Sequence, residues 1–341
     1  MAAHPPLALR THGGPDHLGV PLYDFSSNSN ACGPCPAAWT AVQQADARQY
    51  PDASYTLLRA QLAAFHGVSL ARVVLAGSAS EFIFRITALA AQRGAGAAWL
   101  PPHSYGDYAQ AALAWKLVVA PDPAQAQLRW ACDPSSPLGV AHAELHLLPD
   151  PAAMCVLDRA YEPLRLSGAL PAPDAVLQKF WQLWTPNKAL GLTGVRAAYV
   201  IAPQDSEDAA AQVAQLDRLA PSWVVGAHGV AMLQAWTTPA VQNWLAGSLA
   251  GLREWKARQI AICESLGWIC LPSNTNFFCA RPALPQGMDL QRALGQVRAQ
   301  GIKLRDCASF GLPGHVRLSV MQPAAQDALH NAWQCLKKDA S

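Results

Sequence analysis

Short apolar runs alternate with helical patterns along the first two thirds of the sequence, and no other feature constrains the fold as strongly. Residues 55–66 carry apolar side chains at helical spacing, and the run 73–75 that follows is typical of a buried strand. The same alternation predicts a helix at 81–91 and further strands at 97–100, 117–120, 155–158, 182–184 and 198–201. Strands that are apolar on both faces are typical of a mainly parallel sheet between two layers of helices. We therefore predict an α/β fold.

The pattern changes near residue 239, where a long helical segment begins that extends to residue 265. It is followed by predicted strands at 268–271, 276–280, 302–305 and 316–320, with one helix among them. A chain of 341 residues is long enough for about two domains of ~150 residues each. We predict a large domain at 26–240, with residues 1–25 and 241–341 forming an N-terminal arm and a smaller α+β domain.

Composition excludes several classes of protein. Hydrophobic residues make up 51% of the sequence and charged residues only 14%, which excludes a disordered chain. The net charge is +2 and Lys and Arg form no cluster, so we expect neither a nucleic-acid partner nor a membrane partner. Residues 219–252 lack Asp, Glu, Lys and Arg, but prolines, glycines and amides interrupt them, which favours a buried interface over a membrane span. Nine scattered cysteines and no secretory pattern in residues 1–10 are typical of a cytoplasmic protein.

Two short motifs suggest chemistry that their context does not favour. Cys32-Gly33-Pro34-Cys35 has the spacing of a redox dithiol, but a thioredoxin-like unit requires this motif between a strand and a helix of a small domain. The Gly-Ala-Gly at 94–96 supplies half of a dinucleotide fingerprint and precedes a predicted strand instead of following one. The ten histidines show no metal-ligand spacing, so we predict no metal site.

Polar residues at the ends of predicted strands favour a different site. Ser78, Ala79 and Ser80 lie between a strand and a helix, where backbone N–H groups can converge on a phosphate. An ordinary serine N-cap is the alternative interpretation. Asp158 closes another strand, in the usual ligand crevice of an α/β sheet, although a turn residue would have the same position.

Lys188 is the most informative of these residues. It lies in a glycine-punctuated segment with no other charge before Arg196, which favours a partly desolvated amine that can act as a nucleophile. A solvated surface lysine is the alternative. An anion cradle, a carboxylate, an amine and an arginine together match the needs of pyridoxal phosphate. This cofactor requires a lysine for a Schiff base, an acid opposite the pyridine nitrogen and a phosphate site.

From His12 to Arg317 the chain resembles fold-type I pyridoxal-phosphate enzymes of the class I/II aminotransferase family, in particular histidinol-phosphate aminotransferases and threonine-phosphate decarboxylases. The segment 187–196, NKALGLTGVR, resembles the family pattern S-K-x-x-G-L-x-G-x-R and is the most specific match. The segment 158–161, DRAY, resembles D-E-A-Y. The segment 30–36, NACGPCP, resembles N-P-x-G-P-x-P and places both cysteines at variable positions.

The resemblance implies roles for individual residues. As catalytic groups, Lys188 would form the Schiff base and carry the proton, Asp158 would keep the pyridine nitrogen protonated, and Tyr161 would hydrogen-bond the phenolate oxygen. The other implied cofactor-binding residues are Ser78, Ala79, Ser80, Tyr105, Ser136, Thr185, Arg196 and, from the partner subunit of a homodimer, Tyr50. The implied substrate-binding residues are Arg317 for the α-carboxylate, His12, Asn28 and Arg305 for a distal phosphate, and Asn276.

Three departures from the family pattern leave the activity open. Ser136 stands where the family has Asn, Asn187 where it has Ser, and Arg159 where it has Glu. We expect an aminotransferase that acts on an amino acid or an amino-alcohol phosphate. The His-Gly-Gly at 12–14 is similar to the opening of L-threonine O-3-phosphate decarboxylase of cobalamin biosynthesis, a lyase, which is the first alternative. Ser136 and Arg159 motivate the second, a non-catalytic cofactor-binding protein of the same fold.

Overall fold

The computed structural model describes residues 12–143, 145–204 and 208–338. The strands are β1 (Tyr23–Asp24), β2 (Val73–Ala76), β3 (Ala97–Trp99), β4 (Val118–Ala120), β5 (Leu128–Cys132), β6 (Met154–Asp158), β7 (Trp181–Trp184), β8 (Ala198–Ile201), β9 (Ile269–Cys270), β10 (Phe277–Arg281), β11 (Ile302–Lys303), β12 (Arg305–Asp306) and β13 (Val316–Ser319). The helices are α1 (Pro36–Gln43), α2 (Thr56–His66), α3 (Ala79–Gln92), α4 (Gly106–Ala114), α5 (Asp174–Leu177), α6 (Ala209–Leu219), α7 (Ala227–Trp236), α8 (Pro239–Ser265), α9 (Leu290–Ala299) and α10 (Pro323–Lys338).

Within these described ranges, seven strands form the large sheet, in the order β2-β8-β7-β6-β5-β3-β4. All neighbours are parallel except the two pairs that include β8. Alternate side chains of these strands enter separate cores. Val74, Val156 and Leu183 face the core that α3 and α4 cover, whereas Leu75, Cys155 and Leu157 face the opposite side. Burial on both faces explains the unbroken apolar runs and confirms the α/β prediction.

The smaller part of the chain is built on an antiparallel sheet of order β12-β13-β10-β9. Its core contains Trp268, Phe278 and Trp333 and is closed by α9 and α10. The short strand β1 pairs in parallel with β11, so residues 23–24 join this part of the molecule. Residues 1–11 of the predicted arm lie outside the described residues, and the division into 26–240 and into 1–25 with 241–341 stays a prediction.

Two strand predictions need correction. The sequence patterns missed β5, because Arg129 interrupts its apolar run, although Arg129 is buried and pairs with Asp150 at 2.8 Å. The single strand predicted at 302–305 is two strands, β11 and β12, which belong to different sheets. Among the helices of the described ranges, none is long and apolar enough to cross a membrane.

Candidate active site

The carboxyl ends of the parallel strands open into a cavity of about 180 Å³. Asp158 at the end of β6, Lys188 after β7 and the start of α3 all line it, so the structure brings together residues that are far apart in sequence. The remaining residues of this first cavity are Tyr105, Tyr108, Cys132, Ser136, Ala160, Tyr161, Thr185, Asn187, Arg196 and Ala197. A cavity of about 580 Å³ beside Met154, at the opposite end of β6, contains none of the predicted site residues.

Asp158 is the buried acid of the first cavity, with 5% of its surface exposed. Its Oδ2 accepts a hydrogen bond from the hydroxyl of Tyr108 at 2.7 Å, and its Oδ1 accepts one from the backbone N–H of Ala160 at 2.9 Å. Burial raises the pKa of Asp158, while these hydrogen bonds and the positive charge of Lys188 oppose the rise. The site therefore holds a carboxyl group whose charge depends on its neighbours.

The N-terminus of α3 forms one end of the cavity. Ser78 caps this helix, since its Oγ accepts a hydrogen bond from the N–H of Glu81 at 3.0 Å. The first N–H groups of any helix lack acceptors within the helix and favour a negative charge. Thr185 Oγ1 is buried in the same cavity without a partner in the described chain, and the exposed Arg196 lines it as well. Ser78 is therefore the N-cap of α3, and phosphate binding at this helix start stays a prediction.

The loop that carries Lys188 is held by backbone contacts. The carbonyl of Lys188 accepts hydrogen bonds from the N–H of Asn30 at 2.9 Å and of Gly191 at 3.2 Å. Asn187 Oδ1 accepts a hydrogen bond from the N–H of Lys188 at 3.0 Å. The side chain of Lys188 is half-buried, and its Nζ lies 5.3 Å from the centre of the Tyr161 ring. Asn187 thus performs a local structural role beside the amine.

Tyr161 and Tyr105 form two aromatic walls of the cavity. The hydroxyl oxygen of Tyr161 accepts a hydrogen bond from Asn28 Nδ2 at 3.1 Å, so its own proton remains available to another acceptor. The hydroxyl of Tyr105 lies 3.2 Å from Ser80 Oγ, and burial raises the pKa of Tyr105. The hydroxyl of Tyr105 therefore stays protonated at neutral pH.

A second cavity of about 360 Å³ adjoins the first and shares Tyr105, Ser136, Tyr161 and Lys188 with it. Two buried arginines from the smaller part of the chain, Arg305 and Arg317, line it. Burial, together with the charge of Arg317, lowers the pKa of Arg305. Two guanidinium groups in one cavity favour a ligand with negative charges. His12, Gly13, Asn28, Asp107, Gln110 and Phe310 are among the other lining residues.

Two predicted residues lie outside both cavities. Asn276 is fully buried, and its Nδ2 donates to the backbone carbonyl of Ser29 at 3.0 Å. It therefore connects the residue just before β10 to the segment that follows β1. Tyr50 is 76% exposed and stacks on Trp223, with ring centres 4.3 Å apart. It cannot contact its own chain's cavity from there, and the role assigned to it in a partner subunit stays a prediction.

The departures from the family pattern differ in their position. Ser136 lines both cavities, and its Oγ accepts a hydrogen bond from Arg317 Nη1 at 3.3 Å. Arg159 lines neither; it stacks on Trp184 at 4.3 Å and donates to Gln182 at 2.9 Å. The charge inversion at residue 159 therefore lies outside both cavities, whereas the change at residue 136 lies in their walls.

The Cys-Gly-Pro-Cys segment belongs to the packing around the lysine loop. Cys35 is fully buried at the start of α1, and its N–H donates to the carbonyl of Leu190 at 2.8 Å. Burial raises the pKa of the Cys32 thiol, the opposite of what a reactive dithiol requires. The redox interpretation has no support at this position.

The sequence patterns did not identify Tyr108 as a site residue. It lies on α4, three positions after Tyr105, which is the N-cap of this helix, and this spacing places both side chains on the same side. An aromatic residue at helical spacing usually indicates core, and Tyr108 is core as well, since it is 1% exposed. The available signal was its place three residues after Tyr105, an implied cofactor-binding residue.

Comparisons with known proteins show what this chain is similar to. The sequence matches the family described as aminotransferase class I and II over residues 20–136 and 132–332. A histidinol-phosphate aminotransferase from Halorubrum lacusprofundi is 29% identical over 329 residues, covering 87% of this chain and 84% of that protein. The fold is similar to a histidinol-phosphate aminotransferase from Sinorhizobium meliloti in complex with pyridoxal-5'-phosphate (TM-score 0.77, 21% identity, 95% and 93% coverage). It is also similar to L-threonine-O-3-phosphate decarboxylase from Porphyromonas gingivalis (TM-score 0.75, 18% identity, 93% and 100% coverage).

Proposed function

Because the chain belongs to the aminotransferase class I and II family, we propose that it is a pyridoxal-phosphate-dependent aminotransferase acting on an amino acid or an amino-alcohol phosphate. One observation carries the proposal: Lys188 and Asp158 line one cavity together with the N-terminus of α3. Pyridoxal phosphate needs three features in one cavity, namely an amine, a buried carboxyl and a site for an anion.

The residues of the first cavity fit pyridoxal phosphate. The helix N-terminus, the unpartnered Thr185 hydroxyl and Arg196 offer donors and positive charge to a phosphate. Asp158 fits a protonated ring nitrogen and Lys188 fits an aldehyde. The aromatic ring of Tyr105 provides a flat wall for a planar ligand.

When bound, pyridoxal phosphate supplies an aldehyde that reacts with amines and a ring that takes up the electron pair released at the substrate Cα. Asp158 would hold a proton on the ring nitrogen through its buried negative charge. Lys188 lines both cavities, so its Nζ can accept a proton from the substrate Cα and donate it to a neighbouring atom. Tyr161, whose oxygen already accepts from Asn28, would donate its hydroxyl proton to the ring oxygen.

The second cavity supports a substrate with more than one anionic group. Arg317 would bind one group and Arg305 the other, and Ser136 would leave more room than the asparagine of the family. Arg305 Nη2 donates to Ser309 Oγ at 2.7 Å, which orients the guanidinium for a distal phosphate. This arrangement favours a phosphorylated amino acid or amino alcohol.

The decarboxylase is a second candidate, because His12 and Gly13 line the second cavity beside the arginines. Both reactions use the same cofactor residues, and they differ in which Cα bond stands perpendicular to the cofactor ring. Arg317 and the distal anion site set that orientation. A homodimer in the cytoplasm, with Tyr50 reaching the partner's phosphate site, completes the proposal.

The test is reconstitution of purified protein with pyridoxal phosphate, followed by visible absorbance. We expect Lys188→Ala to lose the visible band of the lysine-bound cofactor, while the control Lys179→Ala, at an exposed lysine outside both cavities, keeps it. A band that persists in Lys188→Ala would refute the assignment.

The same preparation distinguishes the candidate activities. An amino donor such as glutamate should bleach the visible band if the protein is an aminotransferase. Release of CO₂ from threonine phosphate without bleaching would establish the decarboxylase instead. A coloured protein that reacts with neither would support the non-catalytic alternative.

A further inference from the structure

Tyr108 connects the buried carboxyl to the aromatic core. Its hydroxyl donates to Asp158 Oδ2 at 2.7 Å, and its ring stacks on Trp130, with ring centres 4.3 Å apart and planes at 16°. The rings of Tyr108 and Tyr105 pack edge to face, with ring centres 5.9 Å apart and planes at 90°. Because Tyr108 is 1% exposed and held on both sides, its hydroxyl has no alternative position that would keep the ring packed.

The important property of the Tyr108 hydroxyl as a donor to Asp158 is that it carries no charge. An arginine or lysine on Asp158 would neutralise the carboxylate and remove the negative potential that a ring nitrogen needs. A phenol donates a proton without bringing a charge, so it stabilises the carboxylate and leaves its charge available. Burial raises the pKa of Tyr108 well above its usual value, so the phenol stays protonated.

We propose that Tyr108 is a positioning residue that keeps Asp158 ionised and directs its free lone pairs toward the first cavity. The proposal rests on the proposed function for the identity of the ligand, but the link between the two side chains is a property of the chain alone. Without the phenol, Asp158 would retain the backbone N–H of Ala160 and the charge of Lys188 as its stabilising neighbours.

Other titratable or charged groups also surround Asp158. Lys188 faces it from the loop after β7, and Cys132 faces it from the end of β5. The remaining groups of the first cavity and its edge are Tyr105, Tyr161, Arg196 and Asp133. In a Tyr108→Phe variant, the charge of Lys188 and the backbone N–H of Ala160 would therefore be the groups that hold Asp158 ionised.

The primary test measures the ionisation of Asp158 in the full-length chain without cofactor. Infrared difference spectra between each protein and its Asp158→Asn version isolate the carbonyl stretch of the protonated carboxyl. In Tyr108→Phe we expect the midpoint of protonation to move up by about one pH unit, the size of one hydrogen bond to a carboxylate. An unchanged midpoint would overturn the proposal.

The matched control is Tyr199→Phe. Tyr199 is also fully buried, and its hydroxyl accepts from Trp236 at 3.0 Å without contacting Asp158. It should leave the midpoint unchanged; an equal shift would show a general loss of packing and overturn the proposal. If Tyr108→Phe fails to fold, the test uses 3-fluorotyrosine at position 108, whose phenol is more acidic. If Tyr108 supports the ionised Asp158, this replacement should move the midpoint of protonation down; an unchanged midpoint would overturn the proposal.

Cofactor binding gives the second readout. Below the shifted midpoint, Tyr108→Phe should bind pyridoxal phosphate about tenfold more weakly than wild type, and the difference should vanish above it. Wild-type protein that binds no pyridoxal phosphate would refute the proposed function but leave the infrared result standing. A pH-independent loss of affinity in Tyr108→Phe would refute the positioning role alone.

Discussion

At the residue scale, His66 at the end of α2 shows how a buried network sets the response to acid. Its Nε2 lies 2.9 Å from the hydroxyl of Tyr199, which also accepts from Trp236. Burial, with the nearby charge of Arg159, lowers the pKa of His66 to about 4. The folded protein therefore holds this ring neutral where an unfolded chain would protonate it.

We expect the free energy of unfolding to fall as the pH is lowered from about 6.5 to about 4, by up to about 3 kcal/mol from His66. The sign follows because the unfolded chain binds a proton in this window and the folded chain does not. His66→Gln should flatten this part of the pH profile in urea titrations. The control, His17→Gln, makes the same change at an exposed site and should keep the slope, and a full slope in His66→Gln would contradict the assignment.

The polar residues at strand ends are the part of the candidate site that could be predicted from the sequence. Asp158 and Lys188 are polar groups that interrupt apolar patterns, and this contrast identifies them. Tyr108 continues such a pattern, so its hydrogen bond requires the fold to be known. Asn28 was predicted to bind a distal phosphate; it lines the second cavity, but its amide donates to Tyr161.

At the element scale, the lysine loop depends on a close contact between two glycines. A Cβ on Gly191 would lie 2.9 Å from the Cα of Gly33, and Gly191 has a φ of +69°. A side chain at residue 191 would collide with the backbone of Gly33, and the positive φ of residue 191 would be strained for any residue other than glycine. The segment before α1 and the loop after β7 therefore fit only without side chains at this point.

Gly191→Ala should lower the free energy of unfolding by about 2 kcal/mol or more and weaken binding of pyridoxal phosphate, since Lys188 accepts the Gly191 N–H. Gly194→Ala is the matched control in the same loop, because nothing lies within 4 Å of its added Cβ. It should change stability by less than about 0.5 kcal/mol. Equal stability of both variants in urea would show that the glycine contact does not matter.

The elements themselves were predictable to different degrees. The helix α8 begins and ends where its pattern does, because its buried and exposed faces alternate regularly over 27 residues. β5 was missed because a charge in a central strand can be satisfied by a carboxylate at the protein surface, as Arg129 is by the partly exposed Asp150. The division of 302–305 into β11 and β12 depends on partners that local sequence does not reveal.

At the scale of the whole molecule, exposed aromatic side chains support the proposed homodimer. Trp39, Tyr50 and Trp223 are 42%, 76% and 44% exposed. The uncharged stretch 219–252 contributes Trp223 and is buried only in part within one chain. These surfaces favour contact with a second copy.

Light scattering should give about twice the chain mass of 36.4 kDa. If Tyr50 acts across the interface, co-expressed Tyr50→Ala and Lys188→Ala subunits should recover up to about a quarter of wild-type activity, because half of the dimers then carry one intact site. The control is co-expression of two Lys188→Ala chains that carry different tags. A fully active monomer would contradict the dimer, and a dimer without recovery would contradict the role of Tyr50.

The early residues of the chain take their contacts from its late residues. Tyr23 and Phe25 bond to the backbone of Gly301 and Lys303, and Ser319 bonds back to Phe25. During synthesis on the ribosome, residues 23–25 therefore lack these partners until residues 301–319 have emerged. The strands of the large sheet all lie before residue 202 and can pair while translation continues, but the second cavity is complete only after Arg305 and Arg317 have been synthesised.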